Sequence, residues 1–179
     1  MIVSTTGYKP SASAECFRLI FRLRFVSSFF SRLQSAKELT GFQPVVVELK
    51  KDLPSDQLHR LFKLVGWSDG SENQNMIKHF NLPFINSTLV ISAWENTSLI
   101  GAIRVLSDQV IRSVIYDLAV DPKCQGQGIG RELIRRCIGH FPDTEWLVQT
   151  TAAVASYYEK IGFTKRGDVF LSIPSKWIQ

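Results

Sequence analysis

A mixed α/β domain on a mostly antiparallel sheet is the fold class this sequence predicts, and three observations predict it. Residues 88–120 hold three consecutive apolar runs separated only by tight turns, as in an antiparallel meander. The run at 110–120 leads into an amphipathic helix and then another apolar run at 145–151. That is a strand–helix–strand unit with a right-handed crossover and parallel strands. Helix does not alternate with strand throughout, which argues against a doubly wound Rossmann sheet.

The elements follow in order. VVVELK (45–50) reads as a first strand. A helix starts near Pro54, with Leu58, Leu61, Phe62 and Val65 at helical spacing. The polar stretch Ser68 to Asn75 precedes a short helix near Met76 to Phe80. TLVISAW (88–94) and LIGAIRVL (99–106) flank Glu95-Asn96-Thr97-Ser98, a hairpin signal, and VIRSVIYDLAV (110–120) follows the turn at 107–109. The helix RELIRRCIGHF (131–141) presents Leu133, Ile134, Cys137 and Ile138 on one face. EWLVQTT (145–151) is a strand, AVASYYEKIGF (153–163) a helix and VFLSI (169–173) a last strand.

The chain has 179 residues, 45% hydrophobic and 21% charged, the composition of one ordinary globular domain with a short appendage. No run of about 18 apolar residues predicts a membrane-spanning helix. Cys16, Cys124 and Cys137 are too scattered for a disulfide framework or a CxxC zinc site, so no metal is expected and a reduced, cytoplasmic compartment is the default. The net charge of +5 is unevenly placed. Residues 1–42 carry Lys9, Arg18, Arg22, Arg24, Arg32 and Lys37 against only Glu15 and Glu38, while residues 43–179 are nearly neutral. The basicity therefore belongs to an N-terminal extension, 1–42, and the body, 43–179, has no charge excess for nucleic acid. The extension is rich in Ser, Phe and Arg. It reads as an organellar targeting segment, a surface-lying amphipathic helix or an arm packed on the domain.

The most informative stretch is Asp117-Leu118-Ala119-Val120-Asp121-Pro122-Lys123-Cys124-Gln125-Gly126-Gln127-Gly128-Ile129-Gly130. A strand delivers the chain into a loop with glycine at every second position, and the loop opens an amphipathic helix. Glycines let backbone N–H groups approach an anion, and the helix dipole adds about half a positive charge there. Arg131-Glu132 after Gly130 excludes a Walker A loop, and Arg131 stands where G-x-G-x-x-G needs its last glycine.

This loop resembles the acetyl-CoA motif (Arg/Gln)-x-x-Gly-x-(Gly/Ala) of the GCN5-related N-acetyltransferases (GNAT), which Gln125-x-x-Gly128-x-Gly130 fits in full. Tyr157-Tyr158-Glu159-Lys160-Ile161-Gly162-Phe163 is similar to the family's Tyr-Glu-Lys-Leu-Gly-Phe signature. The resemblance implies about six or seven strands and a splayed parallel strand pair that holds the pantetheine arm. It implies that Leu118, Ala119 and Val120 bind that arm, with one amide there facing the thioester oxygen. Gln125, Gly126, Gln127, Gly128, Ile129, Gly130 and Arg131 would take the pyrophosphate, and Thr151 stands where many members carry a pantetheine-binding Asn.

Tyr158 matches the family tyrosine that protonates the departing thiolate, a task suited to a phenol with pKa about 10. Tyr157 is the next candidate, but neighbours on a helix point about 100° apart, so only one should face the sulfur. Strand alternation puts Val114, Tyr116, Leu118 and Val120 on one face and Ile115, Asp117 and Ala119 on the other. Family members often place Glu or His where this chain has Val114 or Tyr116. Asp117 is the nearest carboxylate, with a structural role as its alternative.

Val65-Gly66-Trp67, Ser107-Asp108 and the Asp-x-x-Val-Asp-Pro strand end resemble the plastid and cyanobacterial arylalkylamine branch. Thr151 departs from that branch, which has an acidic residue there. Trp67 and Trp94 are candidates for an aromatic acceptor wall, with core packing as the alternative. The resemblance implies transfer of acetyl from acetyl-CoA to a small-molecule amine. Protein lysine or N-terminal acetylation and a non-catalytic CoA-binding module remain as alternatives. Monomer and homodimer are both open.

Overall fold

The computed structural model describes residues 45–167. Five strands form one sheet in the order β1 (Val45–Leu49), β2 (Leu89–Glu95), β3 (Ser98–Ser107), β4 (Arg112–Val120) and β5 (Glu145–Val148). The first four are antiparallel to their neighbours, and β4 and β5 are parallel. The helices are α1 (Ser55–Leu64), α2 (Gln74–Lys78), α3 (Leu82–Ile85), α4 (Ile129–His140) and α5 (Ala152–Glu159). The mixed α/β reading holds. The expected strand at 169–173 and the extension 1–42 lie outside the described residues.

Alternation along β2 explains why the sheet is covered on both faces. Leu89, Ile91 and Ala93 join one core with Ile103 and Ile115, closed by Leu133, Ile134 and Cys137 of α4 and Tyr158 of α5. Val90 and Trp94 join another with Ala102 and Ala119, closed by Leu58 and Leu61 of α1 and Phe84 of α3. The indole N–H of Trp94 donates to Ser92 Oγ at 2.8 Å, so this tryptophan is core rather than acceptor wall. Trp67 is 52% exposed and meets Phe62 edge-on.

Two boundaries differ from those the sequence predicts. Apolar periodicity starts β4 at Val110, but Val110 and Ile111 are exposed, because one Asp108 carboxylate oxygen accepts the amides of Val110, Ile111 and Arg112 at 2.7–2.9 Å. Those amides cannot also serve a ladder, so the strand begins at Arg112. α5 ends at Glu159, four residues early, and the amides of Ile161, Gly162 and Phe163 turn back onto carbonyls of the last turn.

The strict alternation expected of β4 also fails. Arg104 pairs with Asp117 but Val105 pairs with Ile115, so Tyr116 is the extra residue of a β-bulge. The bulge resets the parity. Ile115 packs in the same core as Leu118 and Val120 rather than with Ala119, which lies in the opposite one.

Candidate active site

The sheet opens where β4 meets β5. Their register runs from Arg112 opposite Glu145 to Ile115 opposite Val148, and there it stops. β4 continues to Val120 while β5 ends, so the parallel pair parts at the bulge. The Asp121 amide donates to Ile100 O at 2.8 Å, toward β3. By alternation the amide and carbonyl of Ala119 face β3 too, and those of Leu118 and Val120 face the opening. Val120 O is met there by Nε2 of Gln125 at 3.0 Å. The first residue of the glycine motif thus ties the loop to the end of the strand.

The loop is shaped for close approach. Asp121 accepts the Lys123 amide at 2.9 Å and starts the short 3₁₀ turn Pro122–Cys124. Gly128, at φ +84°, is the N-cap of α4, and no side chain caps that helix. A left-handed backbone with open space around its Cα is a position for glycine, and its outer surface stays clear. The opening amides of α4 are thus not taken by a capping side chain and can serve an anion. Arg131 on the first turn is exposed and adds a positive charge.

Tyr158 stands on α5, beside the end of the β4–β5 pairing. It is 8% exposed, edge-on to Phe163 at 5.6 Å between ring centres, and burial pushes its phenol up to about 12. With Val114, Tyr116, Val148 and Thr151 it lines a cavity of about 1120 Å³. Thr151 is the N-cap of α5, where its carbonyl accepts the Val154 and Ala155 amides and its side chain caps nothing.

Asp117 points the other way. Its carboxylate meets Nε of Arg104 at 2.5 Å, and the Arg104 guanidinium lies 4.4 Å from the Tyr116 ring centre and 5.6 Å from that of Phe84. Tyr116 itself is 61% exposed. Sequence reasoning missed Arg104, although a lone cation inside the apolar run LIGAIRVL was a signal that a carboxylate faces it. Among the described residues no group of three or more His, Cys, Asp or Glu side chains is placed to hold a metal ion. No helix among them is long and apolar enough to cross a membrane.

A parallel strand pair parted beside a glycine-opened helix defines an acyl-CoA transferase architecture. Residues 66–173, more than half of the chain, match the family model described as Acetyltransferase (GNAT) domain, and the chain belongs to that family of acetyl-CoA-dependent acetyltransferases. It is 28% identical over 134 residues to the uncharacterized N-acetyltransferase ycf52 of Pyropia yezoensis, covering 71% of this chain and 74% of that one. It is 23% identical over 116 residues to serotonin N-acetyltransferase 2, chloroplastic, of Oryza sativa subsp. japonica, covering 62% and 56%. The fold is shared with the GNAT family protein SP0256 of Streptococcus pneumoniae TIGR4, at a TM-score of 0.58 and 21% identity over 72% of this chain and 98% of that one.

Proposed function

We propose that the protein transfers the acetyl group of acetyl-CoA to the primary amine of a small molecule by direct attack, with Tyr158 as general acid. The observation that carries this reading is the parting of β4 and β5, with three features arranged around it. The β4–β5 pairing ends at Ile115 and Val148, the Leu118 edge beyond it faces no strand, and the buried Tyr158 lines a cavity bordered by Ile115 and Val148. The pantetheine arm completes the ladder along Leu118 and the Val120 amide, and the amides from Gln125 to Arg131 seat the pyrophosphate. The neutral amine nitrogen attacks the thioester carbon, the C–N bond forms and the C–S bond breaks. The amine proton leaves to water, and the Tyr158 hydroxyl gives its proton to the departing thiolate. Asp117 belongs to the Arg104 pair in this reading and acts as a brace. The amine acceptor class is supported by the relative named for serotonin acetylation.

The test is CoA-thiol release from acetyl-CoA with a panel of arylalkylamines, polyamines and lysine peptides. Release with an amine is expected. Release with peptides alone transfers the assignment to protein acetylation, and no release with CoA still bound transfers it to a regulatory module. The relative's chloroplast designation and the Ser- and Arg-rich residues 1–42 together favour an organelle over the cytoplasm. A fluorescent fusion of residues 1–42 is expected to reach an organelle, and a diffuse cytoplasmic signal returns the protein to the cytoplasm.

A further inference from the structure

Tyr157 and Tyr158 are neighbours on α5, and the helix sends their rings to different places. Tyr158 lines the cavity at the parting of β4 and β5. Tyr157 is half-buried, does not line that cavity, and lies edge-on to Tyr158 at 5.2 Å. Its phenol oxygen rests against Gly130, the second residue of α4. A Cβ built on Gly130 falls 2.6 Å from Tyr157 Oη, 3.6 Å from its Cζ and 3.8 Å from Val120 Cγ2. The hydroxyl therefore sits at the junction of the strand end and the uncapped helix start.

That hydroxyl has no hydrogen-bond partner among the described residues. The neighbouring groups are ill suited to supply an acceptor. The first-turn amides of α4 are donors, and Arg131, whose charge is felt at Tyr157, is a cation. Donors gathered at one helix start suit an anion. Burial holds the Tyr157 proton more tightly than in an exposed phenol, so it is a donor across neutral pH.

We propose that Tyr157 is a donor-binding residue, its hydroxyl giving a hydrogen bond to a pyrophosphate oxygen of acetyl-CoA. This rests on the reading of the glycine loop as the acetyl-CoA seat. The two adjacent tyrosines then divide the donor between them, Tyr158 serving the sulfur and Tyr157 the phosphates. A Cβ on Gly130 would crowd the Tyr157 Oη at 2.6 Å, so one of the two must shift when Gly130 is replaced.

The experiment is calorimetric titration of CoA into the full chain and into Tyr157→Phe, Gly130→Ala and the double variant, with steady-state rates on acetyl-CoA and on S-acetylpantetheine, which lacks the pyrophosphate. Tyr157→Phe is expected to weaken CoA about tenfold, as for loss of one hydrogen bond to a charged group. Its kcat/KM on S-acetylpantetheine and the melting temperature of the ligand-free protein are expected to stay at the wild-type values. Gly130→Ala is expected to weaken CoA when Tyr157 is present. In the double variant, where the hydroxyl is gone, the same change is expected to cost less than about twofold, since Cζ at 3.6 Å is ordinary contact. The proposal is overturned if Tyr157→Phe binds CoA like the wild type, weakens both donors equally or lowers the ligand-free melting temperature in proportion. Equal damage from Gly130→Ala in both backgrounds overturns it too. Failure of the wild-type chain to bind CoA is a separate result, and it removes the acetyl-CoA reading of the loop itself.

Discussion

Nε of Arg104 lies 2.5 Å from a carboxylate oxygen of Asp117, and the pair sits beside the one residue, Tyr116, that β4 inserts against β3. The guanidinium also lies over the Tyr116 ring. One cation thus holds both the bulged residue and the residue after it, at the height where β4 and β5 part. With side-chain exposures of 12% and 18%, neither charge is well hydrated, so removing one partner strands the other.

Asp117→Asn is accordingly expected to destabilise the fold by about 1–3 kcal/mol, read as a lower melting temperature, through loss of a charge-assisted hydrogen bond. The folded variant is expected to keep kcat within about tenfold and the same pH profile, as general-base catalysis is commonly worth about 10²–10⁴. A loss of about 100-fold or more with an altered acid limb makes Asp117 the base.

Tyr158→Phe is expected to lower kcat by about 10²-fold or more with little change in donor KM, because the proposed general acid would act only on the departing sulfur. Unchanged turnover removes the general-acid assignment. Burial raises the Tyr158 pKa from 10.0 to about 12, so the acid form persists through neutral and mildly alkaline pH. The rate is expected to rise up to about pH 10 as the acceptor amine loses its proton, with no falling limb below that. For stability the sign is the same. The contribution of a group whose folded pKa is raised is whole below about pH 10 and lost as pH climbs toward about 12. A rate maximum near pH 7 contradicts this.

Gly128→Ala places a Cβ in open space but on a backbone with φ +84°. The expected cost is the left-handed penalty alone, about 1–2 kcal/mol, seen in thermal melting, with a weaker donor KM from the shifted α4 amides. A variant as stable as the parent shows the loop relaxing to another conformation.

Thiol chemistry offers a test of the core. Cys137 is fully buried and its thiol is pushed up to about 12, while Cys124 is partly exposed on the 3₁₀ turn. In native protein, mass mapping after iodoacetamide is expected to find Cys124 modified well before Cys137, which reacts only as the chain unfolds. Equal labelling of the two places Cys137 at the surface.

Much of this was legible in the sequence because burial follows period. Leu58 and Leu61 faced the sheet at helical spacing, and Leu133, Ile134 and Cys137 did the same on α4. The hairpin at Asn96-Thr97 fell where its turn residues stood, with Asn96 at φ 55°. What failed were the places where a local polar group overrides periodicity. Asp108 captured three amides and delayed β4, and the Tyr116 bulge exchanged the faces of half a strand. A bulge leaves no compositional trace, so alternation counted through residues 114–120 assigned Ile115 to the wrong side. Within the site, the glycine loop was readable from its residues alone, but the Tyr157–Gly130 contact depends on the placement of two helices that no spacing encodes.

The short parallel ladder between β4 and β5 also bears on how the chain reaches this state. The β2–β3 and β3–β4 pairs close over tight turns, whereas Arg112 must find Glu145 across 33 residues. Loop closure makes such a contact late, and four registered pairs give it little to hold on to once made. The wedge therefore assembles after the two hairpins, as does the β1–β2 pair, whose partners such as Leu49 and Ile91 stand still further apart. Amide exchange on β5 should accordingly exceed that on β3 in the ligand-free protein. A donor lying along β4 binds only the finished wedge, and at about 100 times its Kd it adds about 2.7 kcal/mol to the folded state. In the proposed binding mode the donor would thus act as a folding partner for the strand edge that receives it.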